Sequence, residues 1–516
     1  MVYTKRTPWV LIIGIIMAAY AWLVASGTIG GTLDYLHTKK LANEMVTMGY
    51  IFGGIGIVVG LWQLFISPKQ GHIDYYLSTV GGVMLILLCV FVVKYGAEPL
   101  MIQWGAASGK AIGWNWASTL GVNYILLGII VGMVVVNVLK VPNWAENGVR
   151  LSRLGLKTGV VLLGGLYSAA ELAEYSQWSI GLIFFFVLGS VGLTLWLGRI
   201  KKIPNSMGGV LSAGLGVCGV SAAVAAAPVV NAKSSEIAYT IGTILVWGVL
   251  MMFIFPPVGR ALGLSYEQFG AWAGTGILNS AQVAAAALIY QPNGIETLKV
   301  AEIFNITRIL VLPIIVMWLA VWYVEREQTG VKVNVMQVII GKFPLFVLGF
   351  IVVFLLSTTG VFAPADHYQG KFFVGEKGKA LGDKEIDALK TMDVSKIERE
   401  DHKAALARLI ETKKATTKAD DILLRGLEKS KGVPKDVKEA LKASNKNAWK
   451  TAPRIAWFRD LIVWFFAFGL TGLGMQITFR SLAQAGGQPL VIGTIVGTVK
   501  AVGALIAVLM LKNLIG

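Results

Sequence analysis

Gly214-Leu215-Gly216-Val217-Cys218-Gly219-Val220-Ser221, closed by Pro228, and Gly274-Thr275-Gly276-Ile277-Leu278-Asn279-Ser280 are the stretches on which the fold turns. Each interrupts a long apolar run, 206–230 and 265–290, and glycine at this density breaks a helix. A helix broken inside a bilayer exposes N–H groups and half-helix ends that lipid cannot satisfy but an anion can. The two stretches also lead into similar segments. Ser221 to Ala227 reads Ser-Ala-Ala-Val-Ala-Ala-Ala and Ser280 to Ala286 reads Ser-Ala-Gln-Val-Ala-Ala-Ala, followed by Ile241-Gly242-Thr243-Ile244-Leu245 and Ile306-Thr307-Arg308-Ile309-Leu310. A further pair sets Leu163-Gly164, Ser168 and Leu172 against Leu473-Gly474, Thr478 and Leu482. Secondary transporters are commonly built from such repeats, with the binding site where glycine-interrupted segments of the two halves meet. Generic small-residue helix packing is the competing explanation.

Composition puts these breaks in a membrane. The 516 residues have a mean hydropathy of +0.67, with 55% hydrophobic and 15% charged residues, whereas soluble domains are roughly a quarter charged. An all-α polytopic membrane protein follows, and the 60 glycines suit helices that approach closely in lipid. Cys89 and Cys218 are the two cysteines, which excludes a disulfide framework and a thiolate metal site. None of His37, His72, His367 and His402 falls inside an apolar span, so no metal site or cofactor is expected. The net charge of +17 reads as basic residues on cytoplasmic loops and at headgroups rather than as a nucleic-acid footprint.

Apolar stretches near 8–26, 48–66, 76–95, 121–139, 155–170, 179–198, 206–230, 235–256, 265–290, 298–323, 337–357, 457–479 and 488–513 give 11 to 13 membrane segments. Four regions are expected: an extension with three spans over 1–115, a core over 116–357, a soluble helical insertion over 358–455, and two closing spans over 456–516. Within 366–453 there are 20 Lys and Arg against 15 Asp and Glu, a solvated bundle in composition. Lys140, Arg150, Arg153 and Lys157 follow the fourth span, and Arg199, Lys201 and Lys202 the sixth. These ends are therefore cytoplasmic. Counting onward makes the amino terminus cytoplasmic, beside Lys5 and Arg6, and the insertion extracytoplasmic. If 206–230 and 265–290 cross fully, they run in the same direction; as re-entrant hairpins they enter from opposite sides and form an inverted repeat. Charge counting is the same for both, and the hairpin version is preferred because it also makes spans four to six and eleven to thirteen antiparallel.

Ionisable residues within spans are costly and mark function by default. Glu302, Asn305 and Arg308 lie on one helical face, so Glu302 and Arg308 can pair directly or across Asn305. Arg308 offers an oxyanion a planar fork of donors, or it ties backbone carbonyls of a broken helix. Lys500 sits deep in the last span, either on the permeation path or paired in the bundle, while Lys94 and Lys157, at span ends, read as snorkelling. The expected substrate site comprises Gly216, Cys218, Gly219, Ser221, Asn279, Ser280, Gln282 and Arg308, with Glu302, Asn305 and Lys500 as coupling or ion-pair candidates. Cys218 can equally be a small residue allowing close backbone approach, and the polar tip residues can be packing groups.

Gly216 to Ala223, Ala227-Pro228-Val229-Val230, Gly270-Ala271-Trp272-Ala273-Gly274, Ala281-Gln282-Val283-Ala284-Ala285, Thr307-Arg308-Ile309-Leu310-Val311-Leu312-Pro313 and Ala485-Gly486-Gly487-Gln488-Pro489-Leu490 together resemble the proposed sulfate exporter family of bacterial inner-membrane proteins. That family is grouped loosely with the bile-acid sodium symporter superfamily. The resemblance covers roughly 120–357 and 455–514 and implies a secondary carrier for a small anion in the plasma membrane. Two departures stand out. Ile277-Leu278-Asn279 replaces the Ile-His-Asp/Glu usual before the Ala-Gln pair, and the extension and insertion are additions.

The expected function is secondary active transport of sulfate or a related sulfur oxyanion or sulfonate, probable direction export, by alternating access. Coupling to Na+ or protons stays open, a homo-oligomer in the bilayer is expected, and nucleic acid is not a partner. An ion channel is one rival, although no ring of acidic residues supports it. A sensor or assembly subunit working through the insertion is another. An enzyme is not expected, because the spans hold neither His-Glu-x-x-His nor paired aspartates.

Overall fold

A computed structural model of the chain describes residues 7–28, 39–65, 72–117, 122–167, 169–292, 294–327, 345–364, 371–394, 397, 399–429, 433–484 and 486–511. Lys5, Arg6, His37, Ser168, 337–344, His367 and Ala485, named above, lie outside them. Among the described residues the fold is all-α apart from one short ribbon, as the apolar runs require. Seven helices among them are long and apolar enough to cross a membrane, including Leu41–Phe65, Thr79–Ile112, Ser179–Ile200, Ser234–Ala261 and Gly487–Met510. Shorter apolar helices, such as Trp9–Ala25 and Tyr124–Leu139, accompany them. Large apolar side chains stay exposed along these helices, including Val58, Phe185, Ile254 and Ile506, a surface suited to lipid and not to water.

The described chain divides into two compact units, one of Met1–Val161, Glu174–Gly349 and Leu461–Gly516, the other of Leu162–Ala173 and Phe350–Asp460. In the first, helices meet through glycine as lipid-embedded packing demands. A Cβ on Gly14 would lie 2.6 Å from backbone atoms of Gly56 and Ile57, and one on Gly82 would lie 2.6 Å from the Gly148 Cα.

The two glycine-rich stretches are helical hairpins. In the first, the helix Asn205–Gly216 breaks over Val217 to Gly219 and restarts as Val220–Ala226. A Cβ on Gly214 would sit 3.5 Å from the Ala223 Cβ, and one on Gly209 would sit 2.8 Å from Val230. A straight helix would hold those pairs about 13 and about 31 Å apart. In the second, Tyr266–Gly276 breaks over Ile277 to Asn279 and restarts as Ser280–Tyr290. Phe269 and Tyr290, 21 positions apart in sequence, stack with ring centroids 3.8 Å apart, so this chain also folds back on itself.

Local chemistry sets these ends. Ser265 and Gln268 form a reciprocal capping box at 3.1 Å that starts the second hairpin. Asn279 caps its returning helix by accepting the Ala281 N–H at 3.4 Å. Gly219 has φ +82°, a backbone state that glycine reaches without strain.

The second unit contains the insertion. Helices Asp383–Lys390, Glu400–Thr412, Lys418–Lys429 and Lys435–Ala448 pack around Leu381, Ile386, Leu406, Leu409, Leu424 and Leu441. The insertion is helical, as read from the sequence, with one short ribbon added: Lys371–Phe373 pairs antiparallel with Trp449–Thr451, Phe373 opposite Trp449. Three-residue strands leave no alternation in the sequence to detect. Trp449 Nε1 donates at 2.8 Å to Asp421, which is 1% exposed and also bound by Arg425, so the ribbon is fastened to the bundle by a buried carboxylate.

Asp420 accepts two donors of Arg408, and that guanidinium holds its carboxyl below the ordinary aspartate range. A depressed folded-state value stabilises the fold above the unfolded value of about 3.9, and the contribution disappears as pH falls through the folded value. Exchange of the Lys418–Lys429 amides should therefore stay flat from neutral pH down to about 4, after correction for intrinsic rates, and accelerate severalfold below it. In Arg408→Ala that acceleration is expected to be already present at neutral pH.

Candidate functional site

The two hairpins meet at their tips. A Cβ on Gly219 would lie 2.9 Å from the Asn279 Cβ, so glycine is what lets the first tip close on the second. Around this meeting point stand two buried cations, each tied to the carbonyl end of one broken helix. Arg308, 0% exposed, donates from Nη1 to the Ile277 carbonyl at 2.5 Å and from Nη2 to Asn305 Oδ1 at 2.9 Å. Lys500, 1% exposed, donates to the carbonyls of Leu215 at 3.1 Å and Gly216 at 2.8 Å. A helix C-terminus is the negative end of its dipole, and cations are stabilised there. The same construction thus occurs twice: a helix, a glycine-rich break, a returning helix, and a buried cation at the break.

Ionisable groups cluster here. Glu302 accepts from Asn305 Nδ2 at 2.9 Å, and Asn305 accepts from Arg308, so carboxylate and guanidinium pair across the amide. Lys500 and Cys218 lie within electrostatic range of Arg308. Two basic side chains and one carboxyl are thus buried at the tips, in surroundings where an unpaired charge is costly.

Polar atoms on the neighbouring helices lack partners. Gln282 is 0% exposed, yet neither its Oε1 nor its Nε2 has a hydrogen-bond partner. It abuts Gly248 so closely that a Cβ there would lie 2.3 Å from its Oε1. Ser280 Oγ, Arg308 Nε, Thr243 Oγ1 and Trp247 Nε1 are likewise buried without partners. Buried polar groups in native proteins are nearly always paired, so a group left open at a site calls for a ligand.

The residues expected from sequence distribute as follows. Gly216 supplies a carbonyl to Lys500, Cys218 and Asn279 are buried at the tips, and Gly219 makes the tip contact. Glu302, Asn305 and Arg308 form one hydrogen-bonded chain on the Glu296–Leu310 helix, and Ser280 and Gln282 lie on the returning helix of the second hairpin. Ser221 is exposed. Arg308 holds a broken-helix carbonyl, as its structural alternative had it, and leaves Nε unpartnered; Lys500 also holds broken-helix carbonyls, which neither of its readings named. Thr243, from the Ser234–Ala261 helix, stands in the repeat read from the sequence but is not among the expected site residues, and Trp247 and Gly248 carry no pattern of their own.

The reading of Lys94 as a snorkelling residue at a span end is overturned. It is 7% exposed, at the middle of the Thr79–Ile112 span, where its ammonium pairs with Glu44. The apolar run thins near residue 95, but the helix continues through a π-helical turn, Val93–Ala97, into Glu98–Ile112. Lys157 is exposed.

Residues 81–370 match the family described as Conserved hypothetical protein 698. A UPF0324 membrane protein of Nitratidesulfovibrio vulgaris is 33% identical over 446 residues, spanning 86% of this chain and 97% of that protein. A second UPF0324 membrane protein from the same bacterium is 40% identical over 260 residues, 49% of this chain and 71% of its own length. One from Streptococcus agalactiae is 32% identical over 236 residues, covering 45% and 68%. No solved structure matches the chain.

Proposed function

The chain belongs to the UPF0324 membrane protein family, a family of multi-pass membrane proteins, and from that premise we propose a secondary active transporter of a small anion. The observation that carries the reading is the pair of buried cations, Arg308 and Lys500, at the touching tips of two broken helices, with Glu302 as counter-charge and the Gln282 amide unpartnered. An anion there would pair with the basic side chains and could accept from Gln282 Nε2, Arg308 Nε and Ser280 Oγ, which have no partner within the protein. Open donors of that number favour a ligand with several acceptor oxygens over a halide. A sulfur oxyanion or sulfonate meets that description, in line with the resemblance to the sulfate exporters and through them to the bile-acid sodium symporter superfamily.

Alternating access follows from the hairpins. Each tip is buried against the other, and a relative shift of the helices carrying them would open the site to one side at a time. We place the protein in the bacterial plasma membrane as a homo-oligomer, amino terminus in the cytoplasm and insertion outside, on the basic residues near the span ends. Export is the direction proposed, and no catalytic chemistry is assigned.

A thermal-shift screen of the detergent-purified protein tests the reading, using sulfate, thiosulfate, sulfite, taurine, phosphate and chloride with and without Na+. Ligand binding to the folded state raises apparent stability as the logarithm of ligand over Kd, about 2.7 kcal/mol at a hundredfold excess. A sulfur oxyanion is expected to stabilise more than chloride at equal ionic strength. Equal shifts for all anions, or none, would overturn the substrate class.

A further inference from the structure

A second charge cluster lies outside the hairpins. Lys94, in the π-helical turn Val93–Ala97, pairs with Glu44 of the Lys39–Phe65 helix. Its ammonium is boxed by aromatic rings, with centroids at 4.7 Å for Trp464, 5.2 Å for Tyr124 and 5.6 Å for Tyr95. Trp464 Nε1 is buried there with no hydrogen-bond partner. Four residues after Lys94, Glu98 Oε1 accepts the Tyr124 N–H at 3.0 Å. Glu44 pairs with the ammonium directly, and Glu98, one helical turn beyond Lys94, meets the backbone end of a helix. Among the described residues of the packed neighbours, Tyr95 and Tyr124 add phenols, Trp464 an indole, and Trp9–Ala25, touching Phe91 through Tyr20, adds no charge.

Glu98 is also wired to the second hairpin. The helix whose N–H it accepts is capped by Asn123, which accepts from Leu126 N at 2.9 Å. The other side of the Asn123 amide donates to the carbonyls of Leu288 at 3.2 Å and Ile289 at 3.4 Å, in the last turn of the Ser280–Tyr290 helix. Arg260 holds the same Ile289 carbonyl at 2.6 Å. A carboxylate at a helix N-terminus is a stronger acceptor than a carboxylic acid. Protonating Glu98 thus loosens the start of the helix that, through Asn123, grips the end of the hairpin carrying Gln282. A π-helical turn within a long helix is a frequent mark of a functional position, and ionisable groups at membrane depth are retained for work.

We propose that Glu98 is the proton-coupling residue of this protein: it takes a proton from one aqueous side, releases it to the other, and its protonation shifts the second hairpin. The coupling step rests on the transporter reading, whereas the link from Glu98 to the hairpin does not.

Two measurements on the full chain separate these. In lipid nanodiscs, hydrogen exchange of residues 280–290 is followed across about pH 5 to 8 in wild type and Glu98→Gln, corrected for intrinsic rates. Gln retains an oxygen for the Tyr124 N–H, so the variant keeps the fold. Wild-type protection is expected to change about tenfold, within the usual range for coupled sites, and Glu98→Gln to remain flat. No pH dependence in wild type, or the same dependence in both, would overturn the proposal. In proteoliposomes, labelled sulfate is followed in counterflow at equal pH and in net accumulation under an imposed pH gradient. Glu98→Gln should keep counterflow and lose gradient-driven accumulation; accumulation retained in the variant overturns the coupling role. Absent counterflow in wild type strikes at sulfate transport itself, and the exchange experiment still decides on Glu98.

Discussion

Gln282→Leu is expected to abolish anion-dependent stabilisation while leaving the ligand-free protein as stable as wild type, or more stable by about 1–3 kcal/mol. The sign follows from Gln282 being 0% exposed with both amide atoms unpartnered. Burying an amide without partners costs about 1–3 kcal/mol, and an apolar side chain of similar length removes that cost. A glutamine kept for packing would be improved by Leu at no loss. One kept for a ligand trades stability for binding. The readout is the unfolding midpoint of both proteins in detergent with and without sulfate. A variant that is stabilised by sulfate as strongly as wild type would return Gln282 to the packing of the hairpin.

Arg308→Ala should lose more, in both quantities. Its guanidinium serves the Ile277 carbonyl and Asn305, and through Asn305 it balances Glu302, which is 1% exposed. Breaking a buried charge pair by removing one partner costs roughly 3–5 kcal/mol because the other charge stays behind. Loss of binding in this variant alone would therefore be ambiguous. Adding Glu302→Gln removes the stranded charge, so the double variant is expected to recover much of the midpoint and none of the anion response. Non-additivity of this kind is the signature of groups in one network. If the double variant also regains the sulfate response, Arg308 supports the fold and does not touch the anion.

The breaks themselves were legible. Glycine density around Gly216 and Gly276 marks them because glycine alone loses so much on entering a helix. Whether each break turns the chain back was not legible, since a hairpin and a kinked crossing have the same composition; the closeness of Gly209 to Val230 and of Phe269 to Tyr290 is tertiary. Arg308 and Lys500 announced themselves as charges in apolar runs. That each would hold the carbonyls of a break depended, for Lys500, on a contact with Leu215, 285 residues away. Lys94 was misread because hydropathy falls near residue 95 while the helix does not end. Its partner Glu44 sits at the polar start of another span, where a carboxylate draws no notice. Trp247 left no signal, and Thr243 only its place in a repeat, because their missing hydrogen bonds are visible only in the packing.

The central claim is that the touching hairpin tips hold an oxyanion. Selenate has the shape and charge of sulfate and scatters anomalously at the selenium edge, so crystals grown in selenate locate the anion directly. An anomalous peak is predicted beside Gln282 Nε2 and Arg308 Nε, at a hydrogen-bonding separation of about 3–4 Å from nitrogen to selenium once the intervening oxygen is counted. Ordered selenate elsewhere in the membrane unit, with Gln282 and Arg308 unchanged and no peak at the tips, would contradict it.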